Sequence, residues 1–215
     1  LLAAREAGAR VYDRTMVTRR TYRRNGVELA TSRSRRVRAR HLVIASGYEA
    51  KPPFTQRAVT LMSTFALISE PLRDDQFPLW PANRCLIWDT ADPYLYLRTT
   101  ADNRVIIGGY DEPFRDAPAR DQMLGAKTSA LKRRLRHFFP RIPLEVATAW
   151  AGTFGTSTDG LPFIGQHPTQ PHTWFALGFG GNGITFSLIA REIIRSGIVG
   201  DEDPDAKLFG FERRS

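Results

Sequence analysis

Three features of the sequence predict an α+β fold. The 215 residues are 42% hydrophobic with 11% aromatics, enough for a real core. From Ala58 to about Asp111, several β-patterned runs are separated by Pro-, Asp- and Asn-bearing turns, as in an antiparallel meander. Near the end, Trp174 to Ile194 reads as a strand, a glycine turn and a helix.

Each element follows from local chemistry. LLAAREAG reads as the last turns of a helix capped at Gly8. Residues 9–32 give β runs around the turn signal Asn25-Gly26. The run from His41 to Gly47 is a short, continuously apolar strand ending in small residues, expected to be buried on both faces. Lys51-Pro52-Pro53 breaks the chain and marks a boundary. A meander follows through TLMSTFALIS, RCLIWDT, YLYLRTT and RVIIGGY. Residues 119–139 carry apolar residues at helical spacing and stop before Pro140. LEVATAWAGTFGTSTDGLPFIG returns as a strand with an irregular glycine-rich end. The last helix follows the glycine turn, with Gly197 read as lying past its end.

Composition excludes several classes. No apolar run approaches the ~20 residues of a membrane span, and the arginine-punctuated start lacks the apolar core of a signal peptide. The single Cys85 excludes an internal disulfide, and His41, His137, His167 and His172 show no ligand spacing, so no metal site is expected. A cytoplasmic compartment is expected. Residues 1–40 hold 12 Arg and no Lys against Glu6, Asp13 and Glu28, and so account for the chain's net charge of +9. A basic patch can be a nucleic-acid footprint, but these arginines alternate like the outer face of a hairpin and no nucleic-acid motif accompanies them.

Chemistry concentrates in the glycine turn. Gly178, Gly180, Gly181 and Gly183 let backbone approach a ligand closely, and the following helix aims free N–H groups and a positive dipole end at something electron-rich. The plain alternative is a strand-to-helix turn in which glycines only permit tight packing. Ser157 lacks the G-x-S-x-G elbow of a nucleophile, and Asp159-Gly160 reads as a turn. Tyr94, Tyr96 and Arg98 alternate along one strand and share one face, which is either a pocket wall or a sheet face packed under a helix. Trp150 is expected in the core.

Four segments in order resemble the D-amino-acid oxidase-like flavoproteins, including glycine and sarcosine oxidases. Val43 to Gly47 is similar to their "ATG" strand. Trp150-Ala151-Gly152 with Asp159 to Gly165 resembles their W-x-G…D-G-x-P-x-I-G segment. Gly178 to Ile184 resembles their last flavin-contacting turn, and Tyr96 to Gly108 their substrate-domain hairpin. The family's opening β-α-β unit with G-x-G-x-x-G, which holds the FAD pyrophosphate, does not occur in this sequence. The chain therefore reads as the C-terminal portion of something longer, with the missing N-terminal half as its partner.

The resemblance implies residues 1–50 and 144–197 as the remainder of an FAD-binding domain, 51–143 as a substrate domain and 198–215 as a tail. It implies Ala45, Ser46, Gly47, Gly152, Gly178, Gly180, Gly181, Asn182, Gly183, Ile184 and Thr185 at the flavin, and Tyr96, Arg98 and Phe154 at the substrate. FAD is expected in the intact protein and not in residues 1–215 alone. The implied activity is oxidation of a C–N bond of an amine or amino acid by hydride transfer to flavin, with neither nucleic acid nor membrane as partner. The alternatives are a basic-hairpin nucleic-acid-binding module and a non-catalytic interaction fragment. One departure stands out. Glycine-oxidase-like members carry an Arg two residues past the W-A-G glycine, pairing with the substrate carboxylate; here that position is Phe154, and Arg98 is the best substitute cation.

Overall fold

The computed structural model describes residues 1–50 and 59–214, so the expected boundary at Lys51-Pro52-Pro53 lies outside the described residues. In chain order the elements are α1 (Leu2–Glu6), β1 (Val17–Arg23), β2 (Gly26–Thr31), β3 (Arg36–Ala39), β4 (Leu42–Ile44), β5 (Val59–Ser69), β6 (Ile87–Trp88), β7 (Tyr96–Thr99) and β8 (Val105–Pro113). There follow α2 (Ala117–Gln122), α3 (Leu124–Phe138), β9 (Val146–Ser157), β10 (Phe163–Gln166), β11 (Thr173–Leu177), α4 (Gly183–Val199) and α5 (Ala206–Phe209). They form two compact units, one of residues 1–46, 162–177 and 182–215, the other of residues 47–161 and 178–181. The mixture of antiparallel sheets and helices is the predicted α+β class.

In the first unit, α1 closes at Gly8, where the Gly8 N–H donates to Arg5 O and the Ala9 N–H to Ala4 O, both at 2.9 Å. Strands β1, β2 and β3 form an antiparallel sheet in that order. The Asn25-Gly26 signal yields a turn of Arg24 and Asn25, because Arg23 pairs with Gly26. A Cβ at Gly26, whose φ is 147°, would meet Ala39 O at 2.2 Å, so the approach of β3 requires glycine. Arg23, Arg36 and Arg38 converge on Glu28 of the central strand, with Arg38 Nε 2.9 Å from Glu28 Oε2.

A second small sheet runs β10, β11, β4, with β11 antiparallel to β10 and parallel to β4. Sequence predicts β4 buried on both faces; Val43 is instead 44% exposed, because among the described residues β4 is an edge strand beside β11 alone. Helix α4 packs on β10 and β11 through Ala190, Ile193 and Ile194. It runs to Val199 and ends at a left-handed Gly200, so Gly197 lies inside the helix and not past it. A Cβ at Gly197 would overlap the Trp174 ring at 2.0 Å, and the glycine makes room for the indole. The segment expected as a tail is packed: Phe209 is buried and Phe211 stacks on Phe163 at 5.2 Å.

The second unit is a five-stranded antiparallel sheet in the order β6-β7-β8-β5-β9. Strands β6 to β8 form a meander as predicted, but β5 lies inside the sheet, because its 11 residues pair with β8 on one side and β9 on the other. β9 thus belongs to this sheet along its length, although sequence places it in the 144–197 segment. One face is covered by α3, whose Leu131 and Leu135 meet Phe65, Leu67, Leu97, Val105 and Ile107. Each such buried side chain contributes about 1.5–3 kcal/mol. The predicted helix over 119–139 is two helices, α2 and α3, meeting at Met123; Asp116 caps the first, its Oδ1 accepting the Ala119 N–H at 2.7 Å. Among the described residues no helix is long and apolar enough to cross a membrane.

Candidate active site

With one face of the five-stranded sheet filled by α3, strand alternation sends the remaining side chains to the other. That face carries Tyr94, Tyr96 and Arg98 from the β7 segment, Thr64 from β5, and Trp150, Gly152 and Phe154 from β9. The Tyr94 and Tyr96 rings lie 6.4 Å apart. Tyr96 pairs across strands with Gly108, and its ring lies over that glycine: a Cβ there would stand 2.3 Å from Tyr96 Cζ and Oη. Beyond them a groove of about 510 Å³ is lined by Leu86, Trp88, Tyr94, Tyr96 and Arg98. Trp150, expected in the core, is 42% exposed here, because β9 is the edge strand and α3 covers the opposite side.

The chain segment 178–181 runs beside β9 at the end of this sheet. The Gly180 N–H donates to Gly155 O at 2.9 Å, and Phe179 bridges to Thr156. A Cβ at Gly181 would stand 3.0 Å from the Tyr94 hydroxyl. Ser157 and Asp159 shape the neighbouring turn: Ser157 Oγ donates to Leu161 O at 2.6 Å and to Asp159 Oδ1 at 2.8 Å. This is the turn chemistry that Asp159-Gly160 predicts.

A β-bulge breaks the alternation of β8. Ser63 pairs with Glu112 and Phe65 with Gly109, so Thr64 faces both Tyr110 and Asp111. Tyr110 adopts φ 55°, a left-handed conformation unfavourable for a bulky side chain by about 1–2 kcal/mol. The bulge turns Asp111 onto the open face beside Tyr96, with Thr64 interacting with both groups. Asp111 Oδ1 is buried and has no hydrogen-bond partner. Burial pushes the Asp111 carboxyl above the usual carboxylate range, with Thr64 and Lys127 pulling it back. Burial likewise raises the Tyr96 hydroxyl, and the Asp111 charge adds to the rise. On α3, Lys127 donates to Tyr110 O at 2.9 Å and to Glu112 Oε1 at 2.6 Å, tying down the bulge from the packed side.

The sequence-predicted residues are divided between the units. Gly47, Gly152, Gly178, Gly180 and Gly181 lie in the second unit with Tyr96, Arg98 and Phe154. Ala45, Ser46, Asn182, Gly183, Ile184 and Thr185 lie in the first. There Asn182 makes no side-chain capping bond to α4, and the first helical N–H groups have no intrahelical acceptor. Ile184 is 84% exposed and the Cβ direction of Gly183 is open. Phe154 is half-buried opposite Met62 and offers no donor. Sequence reasoning missed Asp111, Thr64 and Lys127. The signal was present in GGYDEP, where two glycines before a Tyr-Asp pair interrupt the β alternation.

The chain matches the DAO family, FAD dependent oxidoreductase, over residues 1–195. It is 27% identical to a glycine oxidase of Bacillus licheniformis over 92% of the chain and 51% of that protein. It is 26% identical to the gamma-glutamylputrescine oxidoreductase of Escherichia coli over 94% of the chain and 46% of that protein. The fold superposes on glycine oxidase from Geobacillus kaustophilus with a TM-score of 0.79 at 23% identity, covering 99% of this chain and 56% of that one. The chain thus spans about half the length of the curated relatives it matches. The family match over nine-tenths of the sequence, on this fold, identifies the chain as a member of the FAD dependent oxidoreductase family.

Proposed function

We propose that the intact protein oxidises a C–N bond of an amine or amino acid, with FAD as the oxidant. The observation that carries this reading is the open face of the second unit, where two tyrosines and a carboxylate with one buried, unpartnered oxygen stand on the sheet that the Gly178–Gly181 segment borders. Three of the four residues of the second unit's Gly178–Gly181 segment lack a side chain, and in the first unit the start of α4 is uncapped and the Gly183 Cβ direction is open, features that each fit contact with a flavin ring. FAD, when bound, accepts the hydride from the carbon of the substrate's C–N bond.

The chain's own residues supply position and field. The N–H groups and dipole of Gly181 to Thr185 favour negative charge at their end, so they stabilise a reduced ring. Ala45, Ser46, Gly47 and Gly152 let backbone or sheet approach it. The Tyr94 and Tyr96 rings form an apolar, hydrogen-bonding wall that orients the substrate and excludes water. Phe154, in place of the arginine of glycine-oxidase-like members, leaves a substrate carboxylate only Arg98 on this face among the described residues, which favours amines over small α-amino acids.

The test is anaerobic flavin reduction in the full-length protein with a panel of amines and amino acids. Bleaching of the oxidised flavin band by at least one amine is expected, and loss of flavin binding or of bleaching in Gly181→Val. No bleaching by any member of the panel overturns the activity. Equal flavin content and reduction in Gly181→Val and the parent overturns the role of the turn.

A further inference from the structure

The five-stranded sheet carries a second oddity that oxidation of a C–N bond does not by itself require. Asp111 reaches the open face only because β8 is bulged, and the bulge holds Tyr110 in a left-handed conformation that tyrosine disfavours. A structural carboxylate needs no such device, since its oxygens would be matched by donors. Here Asp111 Oδ1 is buried without a partner. Lys127, whose charge acts on this carboxyl, has its hydrogen bonds directed elsewhere, to Tyr110 O and Glu112 Oε1. Thr64 hydrogen-bonds this carboxyl but leaves Oδ1 bare, and Tyr96 stands close enough for the Asp111 charge to act on its hydroxyl. An acceptor-only oxygen next to an aromatic ring matches one ligand chemistry: a positively charged N–H donor, which satisfies the carboxylate while its carbon chain lies against the tyrosines.

We propose that Asp111 is the binding residue for an alkylammonium group of the substrate, held between Asp111 Oδ1 and the rings of Tyr96 and Tyr94. The inference rests on the amine-oxidising reading above and narrows it to substrates that are cationic at this end. The ammonium is either the reacting amine or a second amine on the same chain; both present the same N–H donors. The titratable and charged groups facing Asp111 are Lys127 from α3 and Tyr96 from β7, with Glu112 engaged by Lys127 and Arg98 further along β7. Burial raises the Asp111 carboxyl, so it takes up its proton at a higher pH than an ordinary carboxylate.

The experiment measures binding by flavin absorbance in the full-length, FAD-loaded protein, without turnover. The probes are n-pentylamine and 1,5-diaminopentane, with n-pentanol as the uncharged control. Both amines are expected to bind more tightly than the alcohol, and Asp111→Asn to weaken the amines about ten- to a hundredfold while leaving the alcohol unchanged. A preference for the diamine identifies the second amine as the bound group; equal binding identifies the reacting one. The amines stay protonated throughout, so wild-type affinity should fall as pH is lowered through the raised range in which Asp111 takes up its proton. That titration needs no variant and stands if Asp111→Asn fails to fold. A flat pH profile, equal binding of pentanol and pentylamine, or unchanged amine affinity in Asp111→Asn overturns the proposal. Because binding is read apart from turnover, a protein that binds the amines through Asp111 yet reduces no flavin overturns the proposed activity and leaves the site standing.

Discussion

Two carboxylates on central strands of this molecule receive opposite treatment. Glu28, on β2, faces Arg23, Arg36 and Arg38, and its hydrogen bond with Arg38 holds its carboxyl below the usual range against the pull of burial. Asp111, on β8, is turned by a strained bulge into a site where one oxygen has no partner, and burial pushes its carboxyl up. The first pattern is that of a charge matched within the fold. The second is that of a charge left for something outside it, and unmatched buried groups concentrate where proteins bind ligands.

The comparison can be broken or sharpened by substitution in the full-length protein, the largest effect coming from Gly108. Gly108→Val puts a side chain into the Tyr96 ring, so amine binding should fall by more than about tenfold and stability by about 1–3 kcal/mol, read by thermal melting and probe titration. If both are unchanged, the ordering of Tyr96 over Gly108 is irrelevant.

Glu28→Gln should lower the melting temperature at neutral pH by several degrees. The folded carboxyl is depressed, so its contribution is present above the unfolded value and disappears as pH falls through the folded one. The variant and the parent should therefore converge in acid, and added salt should narrow the gap at neutral pH. A constant deficit at all pH values would mean that packing, and not the arginines, accounts for Glu28.

Asp111→Asn should have the opposite sign. A raised folded carboxyl contributes stability below its unfolded value and loses it as pH rises through the folded one. The variant should thus melt at or slightly above the parent at pH 8, by up to a few degrees, and match it at pH 4. A lower melting temperature at pH 8 would make Asp111 a structural carboxylate like Glu28.

Arg98→Ala should have the smallest effect. Arg98 is exposed on β7, so simple amines should keep their KM within about twofold, and only carboxylate-bearing substrates should weaken. Small α-amino acids that turn over efficiently and ignore this change would place the carboxylate partner on another residue.

The sequence by itself determined the class of fold and much of the site's backbone. The glycine turn, the Asn25-Gly26 hairpin and the Tyr94–Arg98 alternation are local patterns, set by steric freedom and by a period of two, and each folds near where it is written. Only tertiary structure decided what depended on non-local partners. The insertion of β5 between β8 and β9, the exposure of Val43 at a sheet edge, and the need for Gly197 beneath the Trp174 ring each arise from residues far apart in sequence. Asp111 is the clearest case. Nothing local in GGYDEP marks it as buried, and packing beside Thr64 and Tyr96 from other strands leaves one of its oxygens buried without a partner, because desolvation is a property of the surroundings and not of the residue.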